Sequence, residues 1–161
     1  MIVVSDTSCI GYLLMIDNLR LLKDNFNQII IPEAVRSELL NLSSKYNVKR
    51  FLDERWVEVM SIHQSILFDQ LSKQLDERES EAIVLCKDLN ADLLLIDERK
   101  GTSIARSLGI NTIGILGVLL LSKRKGIISS VHPVLNKLIS ETTFRISKEL
   151  HKKFLQQANE Q

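Results

Sequence analysis

Short aliphatic runs alternate with helix-like stretches along the whole chain, and this alternation limits the possible folds more than any other feature. Ile2-Val3-Val4 ends at Ser5-Asp6 and reads as a buried strand. Ser8 to Met15 carries apolar residues on nearly every side, as a mostly buried helix does. Leu19, Leu21, Leu22 and Phe26 predict a second short helix, and Ile29-Ile30-Ile31 a second strand. Pro32 suits the first turn of the next helix, whose apolar face is Val35, Leu39, Leu40 and Leu42. Trp56 to Met60 reads as a short strand or an extended connection, and Ser65 to Leu75 as a helix. Asp76-Glu77-Arg78-Glu79 has the spacing of a capping box and opens a helix from Glu77 to about Leu89. Leu93 to Ile96 is a continuous apolar run, typical of a central parallel strand, and it ends at Asp97. A helix closed by Gly109, a strand from Thr112 to Ile115, and helices after Leu116, around Val134 and after Ser147 complete the pattern.

Strands alternating with helices imply right-handed β-α-β crossovers. The expected fold is a three-layer α/β arrangement, a central parallel sheet of four or five strands flanked by helices. The 161 residues fit one domain, expected over residues 1–155 with a C-terminal tail at 156–161. Cys9 and Cys86 both sit in apolar segments and read as buried thiols rather than a disulfide framework. The N-terminus lacks a basic targeting region, and the longest apolar stretch, Ile113 to Leu121, is too short to span a bilayer. A cytoplasmic protein with no membrane partner is the expectation.

The net charge of +1 announces no polyanionic partner. Its distribution is uneven. Lys123 to Lys153 holds eight basic and two acidic side chains, a balance of +6 that leaves −5 for the remainder. This section is either a phosphate-steering face or a pair of helices with solvated lysines.

Chemistry points to the carboxylates. Asp6 and Asp97 each follow a predicted central strand, and in a parallel sheet all C-terminal strand ends lie along one edge, where open α/β proteins place their sites. Each aspartate could instead cap the next helix. Glu38 lies two turns into the helix after Pro32, at the edge of its buried face. Glu79 has a structural role available in the capping box, so Glu81 is the first choice for chemistry on that helix, although both could contribute. Four clustered carboxylates without a cation would repel, and one or more would take up a proton. A hard divalent cation resolves the conflict, and oxygen ligands with no Cys or His partner point to Mg²⁺ or Mn²⁺.

At this point the chain resembles a known family. VVSDTSCIGYLL is similar to the opening strand and acidic turn of PIN-domain nucleases, and IPEAVRSELL to their second motif. LDERESEAIVLCKDLNADLLLIDERKG and LGINTIGILGVLLLSKRKGII resemble the later half of a VapC-like PIN subgroup. The resemblance extends to roughly Leu155. It implies a divalent-metal-dependent endoribonuclease, the toxin of a toxin–antitoxin pair, with RNA as substrate. Its catalytic acids would be Asp6, Glu38, Glu81 and Asp97, with Glu79 a further metal ligand as the first of the family's paired glutamates. Ser8 falls where PIN domains place a hydroxyl beside the metal. Glu98 falls where some relatives carry another acid, and solvent exposure is expected for it. Arg99, Lys100 and Arg106 are candidate phosphate contacts. A small antitoxin and a homodimer follow from the resemblance, the dimer through apolar helical residues around Leu13, Leu14 or Leu116 to Leu121, which core packing explains equally well. Two positions depart from the subgroup: Arg78 stands where Gly is common, and Gly101-Thr102-Ser103 where Ala and two basic residues are common.

Other classes find less support. A catalytically inactive PIN-like module that binds RNA or protein remains an alternative. A phosphatase using Asp6 as nucleophile would want an acid at position 8, which is Ser. No GxGxxG or GxxxxGK[ST] pattern follows a strand. His63, His132 and His151 do not lie at strand ends and receive no role.

Overall fold

The structure, a computed structural model, describes residues 1–161. The strands are β1 (Val3–Ser5), β2 (Ile29–Pro32), β3 (Val57–Met60), β4 (Leu93–Leu95) and β5 (Thr112–Ile113). Helices α1 (Thr7–Met15) and α2 (Arg20–Phe26) lie between β1 and β2, and α3 (Glu33–Leu40) and α4 (Val48–Leu52) between β2 and β3. Next come α5 (Ile66–Ser72) and α6 (Glu77–Leu89), then α7 (Arg99–Ser107) after β4, and α8 (Ile115–Arg124), α9 (His132–Glu141) and α10 (Lys148–Gln157) after β5.

All five strands are parallel, in the order β3-β2-β1-β4-β5. The chain works outward from β1 to β3, then returns to place β4 on the other side of β1. The crevice between the ends of β1 and β4 is therefore the switch point of the sheet. Of the stretch from Trp56 to Met60, Val57–Met60 forms a true edge strand, and Trp56 just before it packs edge-on against Phe51 at 5.6 Å.

Period-2 alternation divides the core between two faces. Val3 and Leu95 point into a cluster of 26 buried residues shared with α1–α4 and α8–α10. Val4, Leu94 and Ile96 point the other way, into a cluster of 12 shared with α5–α7. Leu13, Val118 and Leu119 are fully buried in the larger cluster, whereas Leu14, Leu116, Leu120 and Leu121 are only partly covered against it. Both cysteines are buried free thiols. No helix is long and apolar enough to cross a membrane.

The basic C-terminal section has a structural use. Lys123, Lys125, Lys137 and Arg145 donate to backbone carbonyls of Ala158, Asn25, Ile16 and Thr142 respectively. These are carbonyl groups at or beyond helix ends, which carry unpaired acceptors and partial negative charge.

The last residues, the expected C-terminal tail at 156–161, are held against the domain. Helix α10 continues to Gln157. Beyond it, Glu160 pairs with Lys123 at 2.8 Å, accepts from the Val131 amide at 2.9 Å and bonds the Ser130 hydroxyl. These partners hold the Glu160 carboxyl well below the usual range, at about 2, against the opposing effect of burial. Glu160→Ala is expected to lower the unfolding free energy by about 1–2 kcal/mol in a urea titration. A free tail would leave the midpoint unchanged.

Candidate active site

Register decides which carboxylates meet. Val3, Val4 and Ser5 lie level with Leu93, Leu94 and Leu95, so Asp6 is level with Ile96 and Asp97 is one position further on. The Asp6 amide continues the ladder by donating to the Leu95 carbonyl at 2.9 Å. Residues level in a parallel pair point to the same face, and a one-residue offset reverses it. Asp6 therefore turns with Ile96 toward α6. Asp97 turns to the other face, where its carboxylate accepts from the Ile115 amide at 3.1 and 3.2 Å and faces the Cys9 thiol at 3.6 Å. It caps α8, and Gly114 leaves the room it needs, since a Cβ there would strike Asp97 Oδ1. This corrects the expectation that the two strand-end aspartates share one crevice.

The residue that joins Asp6 is Glu98, for which exposure was expected. Asp6 is 0% exposed. Its Oδ2 pairs with Arg78 at 2.9 Å, while its Oδ1 has no partner. Glu98 Oε1 accepts from Ser8 Oγ at 2.8 Å and pairs with Arg78 at 3.2 Å, and its Oε2 is likewise buried without a partner. The two carboxyl groups interact directly. Burial pushes Asp6 up to about 8, opposed by Arg78 and aided by the charge of Glu98. Burial also works against ionised Glu98, but the Ser8 hydroxyl, the Asp6 carboxyl and Arg78 outweigh it and hold Glu98 below its ordinary value. The pair thus shares one proton, carried mainly by Asp6 at neutral pH.

Arg78 organises the remainder. Besides Asp6 and Glu98, its guanidinium pairs with Glu38 through Nε and with Asp76 at 3.2 Å. Thr7 Oγ1 donates to Glu38 at 3.2 Å. An open cleft of about 290 Å³ runs over Ser8, Gly11, Glu38, Arg78 and Glu98. A second, of about 460 Å³, lies on the other side of Glu38 and Arg78 and reaches Glu81.

Glu81 does not join Asp6. It accepts from the Ala34 amide at 2.8 Å and so occupies the N-terminus of α3, where partial positive charge favours an acid. Burial still leaves its pKa raised. Glu79 is buried against α7. Its amide receives the Asp76 cap at 3.0 Å, but its carboxylate fills the space left by the missing side chain of Gly101, with Oε2 unpartnered. Burial, then the neighbouring Asp76, pushes Glu79 up to about 7. Alanine at 101 would collide with this carboxylate, so Gly101 and the position of Glu79 form one local arrangement.

The basic candidates lie elsewhere. Arg99 and Lys100 are exposed at the start of α7, with no ion pair. Arg106 donates from Nε to Thr112 Oγ1 at 2.8 Å and lines a separate cleft beside Asp97 and β5, to which Asp6 does not contribute. Sequence reasoning missed Glu98 and gave Arg78 no role. The signal for Glu98 was its place one residue past a strand-end acid, where alternation returns it to the opposite face. For Arg78 it was an arginine set among four acids in six positions, Asp76 to Glu81, interrupted otherwise only by Ser80, in a stretch read only for its helix cap and its glutamates.

Whether this site suits a hard divalent cation is answered by its atoms. No three acidic side chains converge closely enough to enclose an ion. Two buried carboxylate oxygens on Asp6 and Glu98, which have no partner but the proton they share, nonetheless form a hard donor pair, beside a hydroxyl and an open cleft. That fits a cation bound through one or two carboxylates with water completing its shell, the habit of Mg²⁺.

A parallel α/β sheet with paired acids at its switch point defines a class of α/β proteins whose chemistry sits at that edge. Residues 2–160 match the DUF3368 family, described as a PIN domain, and the chain belongs to this PIN-domain family. Membership supports a nuclease-type function at the coarse level, and PIN domains typically use divalent metal ions. Among solved structures, a PilT N-terminus domain protein from the hyperthermophilic archaeon Sulfolobus solfataricus P2 is similar, with 28% identity and a TM-score of 0.56 over 73% of this chain and 90% of that one. No curated protein matches the chain.

The buried proton has a measurable consequence. Asp6 is raised from 3.8 to about 8, so between those limits the native state binds more protons than the unfolded chain, and stability falls as pH rises. Glu79 acts in the same direction up to about 7. In EDTA, the thermal midpoint is expected to fall from pH 5 to pH 8. Asp6→Asn should reduce that fall and stabilise the fold at pH 8 by on the order of a few kcal/mol. A variant less stable than the parent at pH 8 would contradict this account.

Proposed function

We propose that this chain is a divalent-metal-dependent endoribonuclease that hydrolyses RNA phosphodiester bonds at the Asp6–Glu98 pair. One observation carries the reading: Asp6 Oδ1 and Glu98 Oε2 are buried at the switch point with no donor from the rest of the protein, only the proton the two acids share, beside an open cleft that Glu98 lines. Leaving such atoms unsatisfied is costly, and a fold that keeps them is keeping them for a ligand or a proton. Asp6 and Glu98 would hold Mg²⁺ or Mn²⁺, with Glu38 beside them, and the ion would supply an activated water and charge neutralisation at the phosphodiester. The Ser8 hydroxyl fixes the orientation of Glu98. The forked guanidinium of Arg78 keeps the acids together and suits a phosphate oxygen arriving in the cleft.

The test is cleavage of single-stranded RNA in Mn²⁺. Asp6→Asn and Glu98→Gln are each expected to abolish it while the far-UV circular dichroism stays native. Full activity in both variants would refute the assignment. Asp97→Ala is expected to act through loss of the α8 cap, lowering stability by about 1 kcal/mol in a urea titration.

A second reading is favoured by Arg78, whose guanidinium already pairs with four acids where a cation would sit. On that reading the chain is a catalytically inactive PIN-like module that binds RNA or protein. Titration calorimetry separates the two: heat of binding at millimolar Mn²⁺, lost in Asp6→Asn, belongs to the nuclease and not to the module. The proposal extends to a VapC-like toxin that acts as a homodimer and is held in check by a small antitoxin. Overexpression should then arrest growth, and Asp6→Asn should relieve the arrest.

A further inference from the structure

Asp6, Glu38, Asp76 and Glu98 make the active edge repellent to a polyanion, with only Arg78 to offset them. A nucleic-acid strand must therefore be gripped elsewhere. Arg106 bonds Thr112 in a separate cleft, and half of the basic C-terminal section is committed to backbone carbonyls.

A cleft of about 690 Å³ opens at the other end of α1. Four cations line it, Arg20, Lys23, Lys45 and Arg50, against two acids, Asp17 and Glu54. Arg20 has a loose exposed pair with Asp24 at 3.6 Å, whereas the side chains of Lys23, Lys45 and Arg50 have no ion pair. The cleft also presents the half-buried Tyr46. It adjoins the acidic cleft at Met15, which lines both. Ser8, Gly11, Tyr12 and Met15 lie at i, i+3, i+4 and i+7, one face of α1, and form that connecting floor over roughly 10 Å. At Gly11 a Cβ would meet nothing within 4 Å, so the floor is open at its middle.

We propose that the cleft beyond the C-terminal end of α1 binds the single-stranded flank of an RNA substrate. Its phosphates lie on Lys23, Lys45 and Arg50, and a base lies against Tyr46. This rests on RNA being the substrate. Unpaired cations around an aromatic surface are the chemistry by which proteins track single strands, and the α1 floor leads such a strand to Asp6 and Glu98.

The test measures binding without cleavage. The full chain in EDTA is titrated against a fluorescein-labelled, mixed-sequence single-stranded RNA, and anisotropy is read from 50 to 200 mM salt. Lys45→Glu combined with Arg50→Glu is expected to raise Kd at least ten-fold. It should also flatten the slope of log affinity against log salt by about 1.4, two phosphate contacts' worth. Tyr46→Ala should weaken binding about ten-fold or more with the slope unchanged. Lys152→Glu combined with Lys153→Glu, the same charge change on exposed α10 positions, should stay within about two-fold. Equal weakening in both charge reversals, or in neither, overturns the cleft assignment and leaves the nuclease reading standing. A parent protein that binds no RNA overturns both.

Discussion

The register between β1 and β4 is the constraint on which the site depends. Three level pairs, Val3 with Leu93 through Ser5 with Leu95, put β4 beside β1 at the centre of the sheet. They also settle the direction of every side chain that leaves the two strand ends. With that offset Asp6 and Glu98 share the α6 face, and Asp97 takes the α8 face. Slipping β4 by one residue would exchange the two acids, but would also turn Leu94 and Ile96 out of one core and Leu95 out of the other. The hydrophobic pattern thus fixes the electrostatics.

Electrostatics then explains why α6 begins as it does. Asp76 caps the helix, and the next turn sends Arg78 across the strand ends and Glu79 down against α7. A buried carboxyl pair is tolerated for two reasons: one member keeps its proton, and a guanidinium forks between the acids. Glu81 and Asp97, which lack such a partner, are satisfied instead by helix N-termini. Each acid along this edge has found one of three partners: an arginine, a proton or a backbone amide.

Much of this was legible in the sequence. The β-branched runs, the Asp76 cap and the closing Gly109 gave strands and helices close to those observed, because each is a local signal with a local cause. The placement of Asp6 at a sheet edge was legible too, since a strand that is apolar to its last residue exposes the next one there. The facing of Asp97 and Glu98 was not. It depends on a pairing offset across some ninety residues of chain, which nothing in either strand encodes alone. Arg78 was hidden for a related reason, as its partners come from α1's preceding strand, α3 and the end of β4. The basic C-terminal section misled in the opposite direction, its lysines looking free until helix ends were brought beneath them.

The absent side chain at position 101 has a consequence for how this edge can change over time. Glu79 occupies that space, and Glu79 is the immediate neighbour of Arg78. Any larger residue at 101 would have to displace a carboxylate from its niche, and the displacement would pass along the first turn of α6 to the arginine that gathers the acids. Positions 78, 79 and 101 are therefore free to drift only as a group, and a lineage that altered one would be under pressure to remake the other two.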